Sequence, residues 1–70
     1  MGDHNRNATI LRMVLAESRP DLTSAFLEPA DFSMVVRFGK ARITPSDLVG
    51  LDEAQIHRYA ANLIAAQRTP

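Results

Sequence analysis

The sequence contains no cysteine and no tryptophan, and lysine and tyrosine each occur once among its 70 residues. Without cysteine, the chain can form neither disulfide bonds nor thiolate metal sites. Its two histidines, His4 and His57, are far apart in sequence, so a structural zinc site is not expected. We therefore predict a protein with no bound metal and no cofactor.

Long apolar runs are missing as well. No stretch approaches the roughly 20 apolar residues that cross a bilayer. Residues 1–7 lack the apolar core of a signal peptide. These absences predict a cytoplasmic protein that does not associate with membranes. Arginine outnumbers lysine strongly and alanine is abundant, a composition that favours a bacterial source.

The chain is short for a stable folded protein. Its 70 residues form one domain at most. A domain of this size buries only about 60% of its unfolded surface. Small domains without disulfides or metals are often stabilised by self-association. We therefore expect a homodimer.

Sequence motifs of enzymes are absent. There is no Gly-x-Ser-x-Gly pattern, no P-loop and no dinucleotide-binding glycine pattern, because the three glycines are scattered. His57 follows Glu53 by four residues, the spacing of a surface ion pair on a helix, or of a pH-sensitive contact at an interface. Two of the acids Asp47, Asp52 and Glu53 fit helix caps and first-turn positions. We predict a non-enzymatic protein with no catalytic residues.

The first half of the chain predicts two helices. Residues 1–6 are predicted to be a flexible tail, and Asn7 fits the N-cap of a helix that begins at Ala8 and ends before Pro20. The apolar stripe of this helix is Leu11, Val14, Leu15 and Ser18, widened by Ile10 and Met13. A short second helix is predicted over residues 20–28, between two prolines. Its apolar residues recur at helical spacing: Leu22, Ala25 and Phe26.

The last third of the chain predicts one helical turn and then a long helix. Thr44 fits a cap, Pro45 the first helical position and Asp47 the first turn. Asp52 then fits the cap of a long helix over residues 53–67. Its apolar stripe is Ile56, Tyr59, Ala60, Leu63, Ile64 and Gln67. Three small residues flank the stripe: Ala54, Ala61 and Ala65. We predict that they form, with Tyr59 of the stripe, a seam for a second copy or a partner helix. The alternative is packing of this face against the first helix.

Residues 32–44 give the one strong strand signal. Apolar residues alternate with Ser33, Val35 and Arg37, and Gly39-Lys40 suits a two-residue type II′ turn. The resulting hairpin has one apolar face, which we predict to enter the core: Phe32, Met34, Val36, Phe38, Ala41 and Ile43. A longer loop with a bulge would shift the pairing by one residue.

The other face of the hairpin is cationic. Arg37 lies opposite Arg42 in the preferred register, with Lys40 at the tip. This face is either a solvated surface or a binding site for an acidic protein surface or for phosphates. Residues 32–44 carry a net charge of +3, whereas residues 1–31 carry −2 and residues 45–70 carry −1. Because the whole chain is neutral, an acidic protein partner is favoured over nucleic acid.

These patterns predict a single small α+β domain over residues 7–68, with tails at residues 1–6 and 69–70. The predicted order is helix, short helix, β-hairpin and long C-terminal helix. The predicted function is that of a small regulatory or adaptor protein. It would bind a partner protein as a homodimer, through the amphipathic C-terminal helix and the cationic hairpin. The alternative is a dimeric DNA-binding transcriptional regulator that uses the basic hairpin.

Overall fold

Residues 2–68 are described by a computed structural model with two helices and a three-stranded antiparallel sheet. Met1 and the predicted tail at residues 69–70 lie outside the described residues. The predicted α+β class is confirmed. In chain order the elements are α1 (Gly2–Ser18), β1 (Thr23–Leu27), β2 (Met34–Phe38), β3 (Ala41–Ile43), a 3-10 helix (Pro45–Leu48) and α2 (Glu53–Arg68).

The predicted hairpin is formed by β2 and β3 in the preferred register. Val36 lies opposite Ile43, and Phe38 lies opposite Ala41. Gly39 has a φ of +60°, whereas Lys40 does not have a positive φ. A type II′ turn needs a positive φ at its first central position, which glycine supplies without strain. The bulged alternative is therefore not adopted.

The predicted short helix over residues 20–28 is wrong. Residues Thr23–Leu27 form β1, which pairs antiparallel with β2. A two-stranded hairpin is marginal by itself, and a third strand gives the backbone groups at the outer edge of β2 their partners. This tertiary pairing outweighs the helical spacing of the apolar residues. The sheet order is β1-β2-β3, so its open edges belong to β1 and β3.

The first helix begins at Gly2, six residues before the predicted start at Ala8. The sheet holds this early turn in place through Asn5, whose Nδ2 donates to the Phe32 carbonyl at 2.9 Å. The Met34 N–H donates in turn to Asn5 Oδ1 at 2.9 Å. Residues 2–6 therefore lie in α1 rather than in a separate tail, and Asn7 is not an N-cap.

Asn7 instead links α1 to the far end of the chain. Its Nδ2 donates to the carbonyl of Leu48 at 2.9 Å and to that of Leu51 at 3.1 Å. These two carbonyls belong to the end of the 3-10 helix and the loop after it. A buried or half-buried carbonyl without a partner is unfavourable, so the amide stabilises this junction.

Helix α1 is the central element of the core. It contacts β1, β2, the 3-10 helix and α2. The apolar stripe of α2 therefore packs mainly inside the molecule, as the intramolecular alternative predicted. The buried apolar cluster consists of Ala8, Leu11, Leu15, Val36, Phe38, Ile43, Leu48, Ile56 and Ala60.

Two residues of the hairpin segment differ from the prediction. Phe32 was assigned to the core but precedes β2, with a φ of +59° and 68% of its surface exposed. Val35 was assigned to the solvated face but is 1% exposed. It lies opposite Phe26 of β1 and is not part of the main core cluster. The added strand therefore covers part of the outer sheet face.

Both predicted helix starts in the last third of the chain are confirmed. The Thr44 N–H donates to the Asp47 carboxylate at 3.0 Å at the start of the 3-10 helix. At the start of α2, the Gln55 N–H donates to Asp52 Oδ1 at 2.8 Å. The Asp52 N–H donates to Gln55 Oε1 at 2.9 Å, so the two side chains cap the helix reciprocally.

Candidate partner-binding surface

The three predicted cations lie together on the hairpin. Arg37 of β2 lies directly opposite Arg42 of β3, and both are exposed on the face turned away from the helices. Lys40 is exposed in the turn that joins the two strands. Among the described residues, neither Arg37 nor Lys40 has an ion-pair partner. The fold thus holds two guanidinium groups side by side with no carboxylate between them.

Arg42 does have an acidic neighbour, which the sequence did not reveal. Its Nη2 lies 3.8 Å from Glu28 Oε2, and both side chains are partly exposed. Glu28 directly follows β1, so this contact exists because β1 is a strand of the sheet. An exposed ion pair of this kind contributes about 0–1 kcal/mol. The surface at the hairpin is therefore cationic at Arg37 and Lys40 and partly neutralised at Arg42.

A polar depression of about 270 Å³ lies beside Arg42 on the outer sheet face. Its lining includes Val35, the carboxylates of Glu28 and Asp31, and the hydroxyl of Ser46. The Asp31 carboxylate already accepts a hydrogen bond from the Ser33 N–H at 3.0 Å. Two carboxylates beside one arginine do not make an anion site. An anionic partner would therefore meet Arg37 and Lys40 more favourably than this depression.

Phe26 adds an aromatic side chain to the same outer face. It lies on β1 opposite Val35, two residue pairs along the ladder from Arg37, and is 43% exposed. Aromatic residues and arginine are enriched at the centres of protein interfaces. A helix over residues 20–28 would not place Phe26 on this face, so its position here was not predicted from the sequence. The uncharged run Thr-Ser-Ala-Phe-Leu was the available strand signal.

The predicted helix seam lies on a different layer of the molecule. Ala54, Ala61 and Ala65 are exposed along one side of α2, whereas Tyr59 is half-buried on another side of the same helix. Burial raises the pKa of the Tyr59 hydroxyl above its usual value, and the negative charge of Asp47 raises that pKa further. The fold brings the three alanines together on one side of α2, but it does not bring Tyr59 to that side.

His57 and Glu53 form the predicted i, i+4 contact on α2. His57 Nε2 lies 3.9 Å from Glu53 Oε2, and both side chains are more than half exposed. They border a shallow apolar depression of about 230 Å³ between α1 and α2, lined in part by Ile10 and Met13. Two exposed side chains at this distance make a surface ion pair when the histidine is protonated.

Within residues 5–67, no three histidine or acidic side chains converge as ligands for a metal ion. No helix in the described part of the chain is long and apolar enough to cross a bilayer. Comparison with known proteins gives no family model, no curated protein and no solved structure that matches this chain.

Proposed function

We propose that this protein is a small, non-enzymatic, cytoplasmic regulator or adaptor that binds an acidic surface of a partner protein. The binding site is the hairpin face formed by Arg37, Lys40 and Arg42. The observation that supports this proposal is the position of Arg37 directly opposite Arg42, with no carboxylate for Arg37 among the described residues.

Like charges directly opposite each other in a sheet are unfavourable in the free protein. A carboxylate placed between the two guanidinium groups would remove this repulsion and accept hydrogen bonds from both. Arginine suits this role because its planar group can bind a carboxylate through two parallel hydrogen bonds. Phe26, exposed on the same face, supplies apolar contact area beside the charges.

The proposal includes a homodimer. The exposed alanines of α2 leave room for close approach of a second helix, and Tyr59 supplies a partly buried ring further around the same helix. Two copies joined through α2 would present two cationic hairpins, since the hairpin face lies on the opposite layer of each copy. Two such faces would increase the affinity for an extended acidic partner surface.

Fluorescence anisotropy with a labelled glutamate-rich peptide tests the binding site. We expect binding that weakens with salt, and a loss of about tenfold or more in affinity for Arg37→Ala, equivalent to about 1.4 kcal/mol. Arg6→Ala removes one positive charge from α1 and serves as the matched control. Equal losses of affinity in the two variants would show that the peptide responds to net charge and not to the hairpin site, which would overturn the proposal.

A short DNA duplex in the same assay tests the alternative function. Phosphate contacts make binding to DNA steeply salt-dependent. If the duplex binds tightly and the Arg37→Ala/Arg42→Ala variant loses this binding, the partner of the hairpin face is nucleic acid and not an acidic protein. We expect no retention of the duplex even at low salt, because the chain as a whole is neutral.

Light scattering with size exclusion tests the homodimer. We expect a dimer at micromolar concentration that Ala61→Glu converts to a monomer, because it buries a charge in the seam. Ala30→Glu places the same charge at an exposed position in the turn between β1 and β2, outside α2, and should leave the dimer intact. A monomer of the unmodified chain would overturn this part of the proposal.

A further inference from the structure

The free edge of β1 borders a groove that the cationic hairpin face does not include. The groove has a volume of about 390 Å³ and is lined by Arg12 of α1, by Ala25, Phe26 and Leu27 of β1, and by Met34 of β2. Phe26 is 43% exposed and Leu27 is 52% exposed. Apolar side chains and one cation thus meet along an open strand edge.

The ladder between β1 and β2 shows which backbone groups of β1 face this groove. Just beyond the two ends of β1, the Gly39 N–H donates to the Leu22 carbonyl at 3.0 Å, and the Glu28 N–H donates to the Ser33 carbonyl at 2.8 Å. In an antiparallel pair, hydrogen-bonded residues alternate with residues whose backbone groups point outward. Since residues 22 and 28 bond toward β2, Ala25 and Leu27 direct their N–H and carbonyl groups toward the groove.

The edge carries none of the features that commonly block the addition of a strand. Residues 23–27 include no proline, no lysine and no charged residue of any other kind. Native proteins usually protect an open edge with such residues or with a covering segment. A row of free backbone groups is matched by another extended chain and not by a helix, because a helix uses its own backbone hydrogen bonds internally.

Arg12 determines the charge of the occupant. Its side chain is exposed and makes neither an ion pair nor a side-chain hydrogen bond with another described residue. It lies on the α1 side of the groove, next to Leu27 and Met34. A carboxylate on the added strand would pair with this guanidinium.

A second copy of β1 fits this requirement poorly. Residues 23–27 contain no acid, and a symmetric antiparallel pairing of two copies would bring both Arg12 side chains to the same seam. We therefore propose that the β1 edge binds an extended acidic segment of a partner protein as a fourth strand. This segment places a carboxylate against Arg12 on the α1 side and an apolar side chain against Phe26 on the other side.

This inference rests on the β1 edge, which shares only Phe26 with the proposed hairpin site, whereas Arg12 and the outward backbone groups of β1 lie outside that site. A labelled peptide of alternating valine and glutamate is the probe, and fluorescence anisotropy measures its affinity. A matched peptide with lysine in place of glutamate tests the charge, and a valine–glutamate peptide methylated on alternate backbone nitrogens tests the ladder. We expect the unmodified acidic peptide to bind at least about tenfold more tightly than either control peptide, equivalent to about 1.4 kcal/mol.

Two variants of the protein complete the test. Ala25→Pro removes one outward N–H of an edge strand, a position where proline is compatible with the sheet, and should lower the affinity by about tenfold or more. Arg12→Glu should lower the affinity for the acidic peptide and raise it for the lysine peptide, whereas Arg6→Glu should do neither. The methylated peptide requires no change in the protein, so it tests the shared backbone ladder even if a variant fails to fold.

Several outcomes would overturn the inference. Equal binding of the methylated and unmodified peptides would exclude a shared ladder, and an unchanged peptide preference in Arg12→Glu would exclude the charge contact. A dimer that Ala25→Pro converts to a monomer would make a second copy the occupant. Loss of peptide binding in Arg37→Ala/Arg42→Ala, with full binding in Ala25→Pro, would move the peptide to the hairpin face and support the other proposal instead.

Discussion

Arg37 lies directly opposite Arg42 across the β2–β3 ladder, and both side chains face away from the core. A cross-strand pair of like charges is destabilising by a few tenths of a kcal/mol, whereas an opposite pair is favourable. We predict that Arg37→Glu raises the free energy of unfolding by about 0.2–1 kcal/mol. Urea denaturation at low salt measures the change.

Lys40→Glu is the matched control for this prediction, because it makes the same change in net charge within the same hairpin. Lys40 lies in the turn and has no cation directly across from it, so its replacement should give a smaller gain. Salt should reduce the gain of Arg37→Glu, since both side chains are exposed to screening. Equal gains for the two variants would show that net charge, and not the cross-strand pair, sets the effect.

Asn7 gives a prediction that separates its observed role from the predicted N-cap. Its amide donates to the carbonyls of Leu48 and Leu51, which a carboxylate cannot do. Asn7→Asp should lower the free energy of unfolding by about 1–3 kcal/mol, because the Leu51 carbonyl loses its donor and both carbonyls face a negative charge. The Leu48 carbonyl keeps one hydrogen bond, from the Leu51 N–H at 3.2 Å. Thermal or urea unfolding measures the loss.

An N-cap would give the opposite result, because aspartate and asparagine are equally good caps. Residue 7 lies in the second turn of α1, where the helix dipole has little effect, and any remaining effect would favour a negative charge. A loss of stability in Asn7→Asp therefore cannot come from the helix dipole. Asn62→Asp, an exposed position on α2, should change stability by less than about 0.5 kcal/mol. If Asn7→Asp were as stable as the unmodified chain, the link from α1 to the 3-10 helix would be refuted.

The hairpin was predictable from sequence, whereas β1 was not, for a physical reason. In residues 32–44 apolar residues occupy every second position from Phe32 to Phe38, with Val35 as an extra apolar residue, so a shift by one residue would move this apolar set to the other face. In residues 20–28 the apolar positions fit either a helix or a strand, and short apolar runs do not separate the two. The choice is made by the unpaired edge of β2, which is a tertiary constraint that the local sequence does not contain.

The candidate surfaces were likewise predictable where they depend on the hairpin and not where they depend on β1. The sequence placed Arg37, Lys40 and Arg42 together, because their positions follow from the hairpin register alone. It did not predict that Glu28 lies beside Arg42 or that Phe26 is exposed, because both features depend on β1. The groove at the β1 edge was likewise hidden, since a helix has no open strand edge.

Phe32 holds a backbone conformation that glycine would adopt more easily. Its φ of +59° places it in the left-handed region, where a bulky side chain is strained. The side chain is 68% exposed, so little apolar burial would be lost on its removal. Phe32→Gly should therefore raise the free energy of unfolding by about 1 kcal/mol.

The hydrogen bonds at this position involve the backbone of Phe32 and are kept in the variant. Its N–H donates to the Glu28 carbonyl at 2.7 Å, and its own carbonyl accepts from Asn5. Ala30→Gly in the same turn is the control, since Ala30 does not have a positive φ. It should lower stability by about 0.4–1 kcal/mol, because it only increases the freedom of the unfolded chain. Gains or losses of the same sign in both variants would contradict strain at Phe32.

Tyr59 predicts how stability changes at alkaline pH. Burial, and secondarily the charge of Asp47, raises the pKa of its hydroxyl above the usual value near 10. The folded state therefore holds this proton more tightly than the unfolded state. The corresponding stabilisation is fully present below about pH 10 and is lost as the pH rises through the folded pKa.

Tyr59 is the single tyrosine, so tyrosinate absorbance in the ultraviolet follows the ionisation of its hydroxyl directly. Asp47→Asn should lower this pKa part of the way, because burial remains as the larger cause. A folded-state pKa equal to that in denaturant would show that the ring is fully hydrated, contrary to its partly buried position against the apolar core.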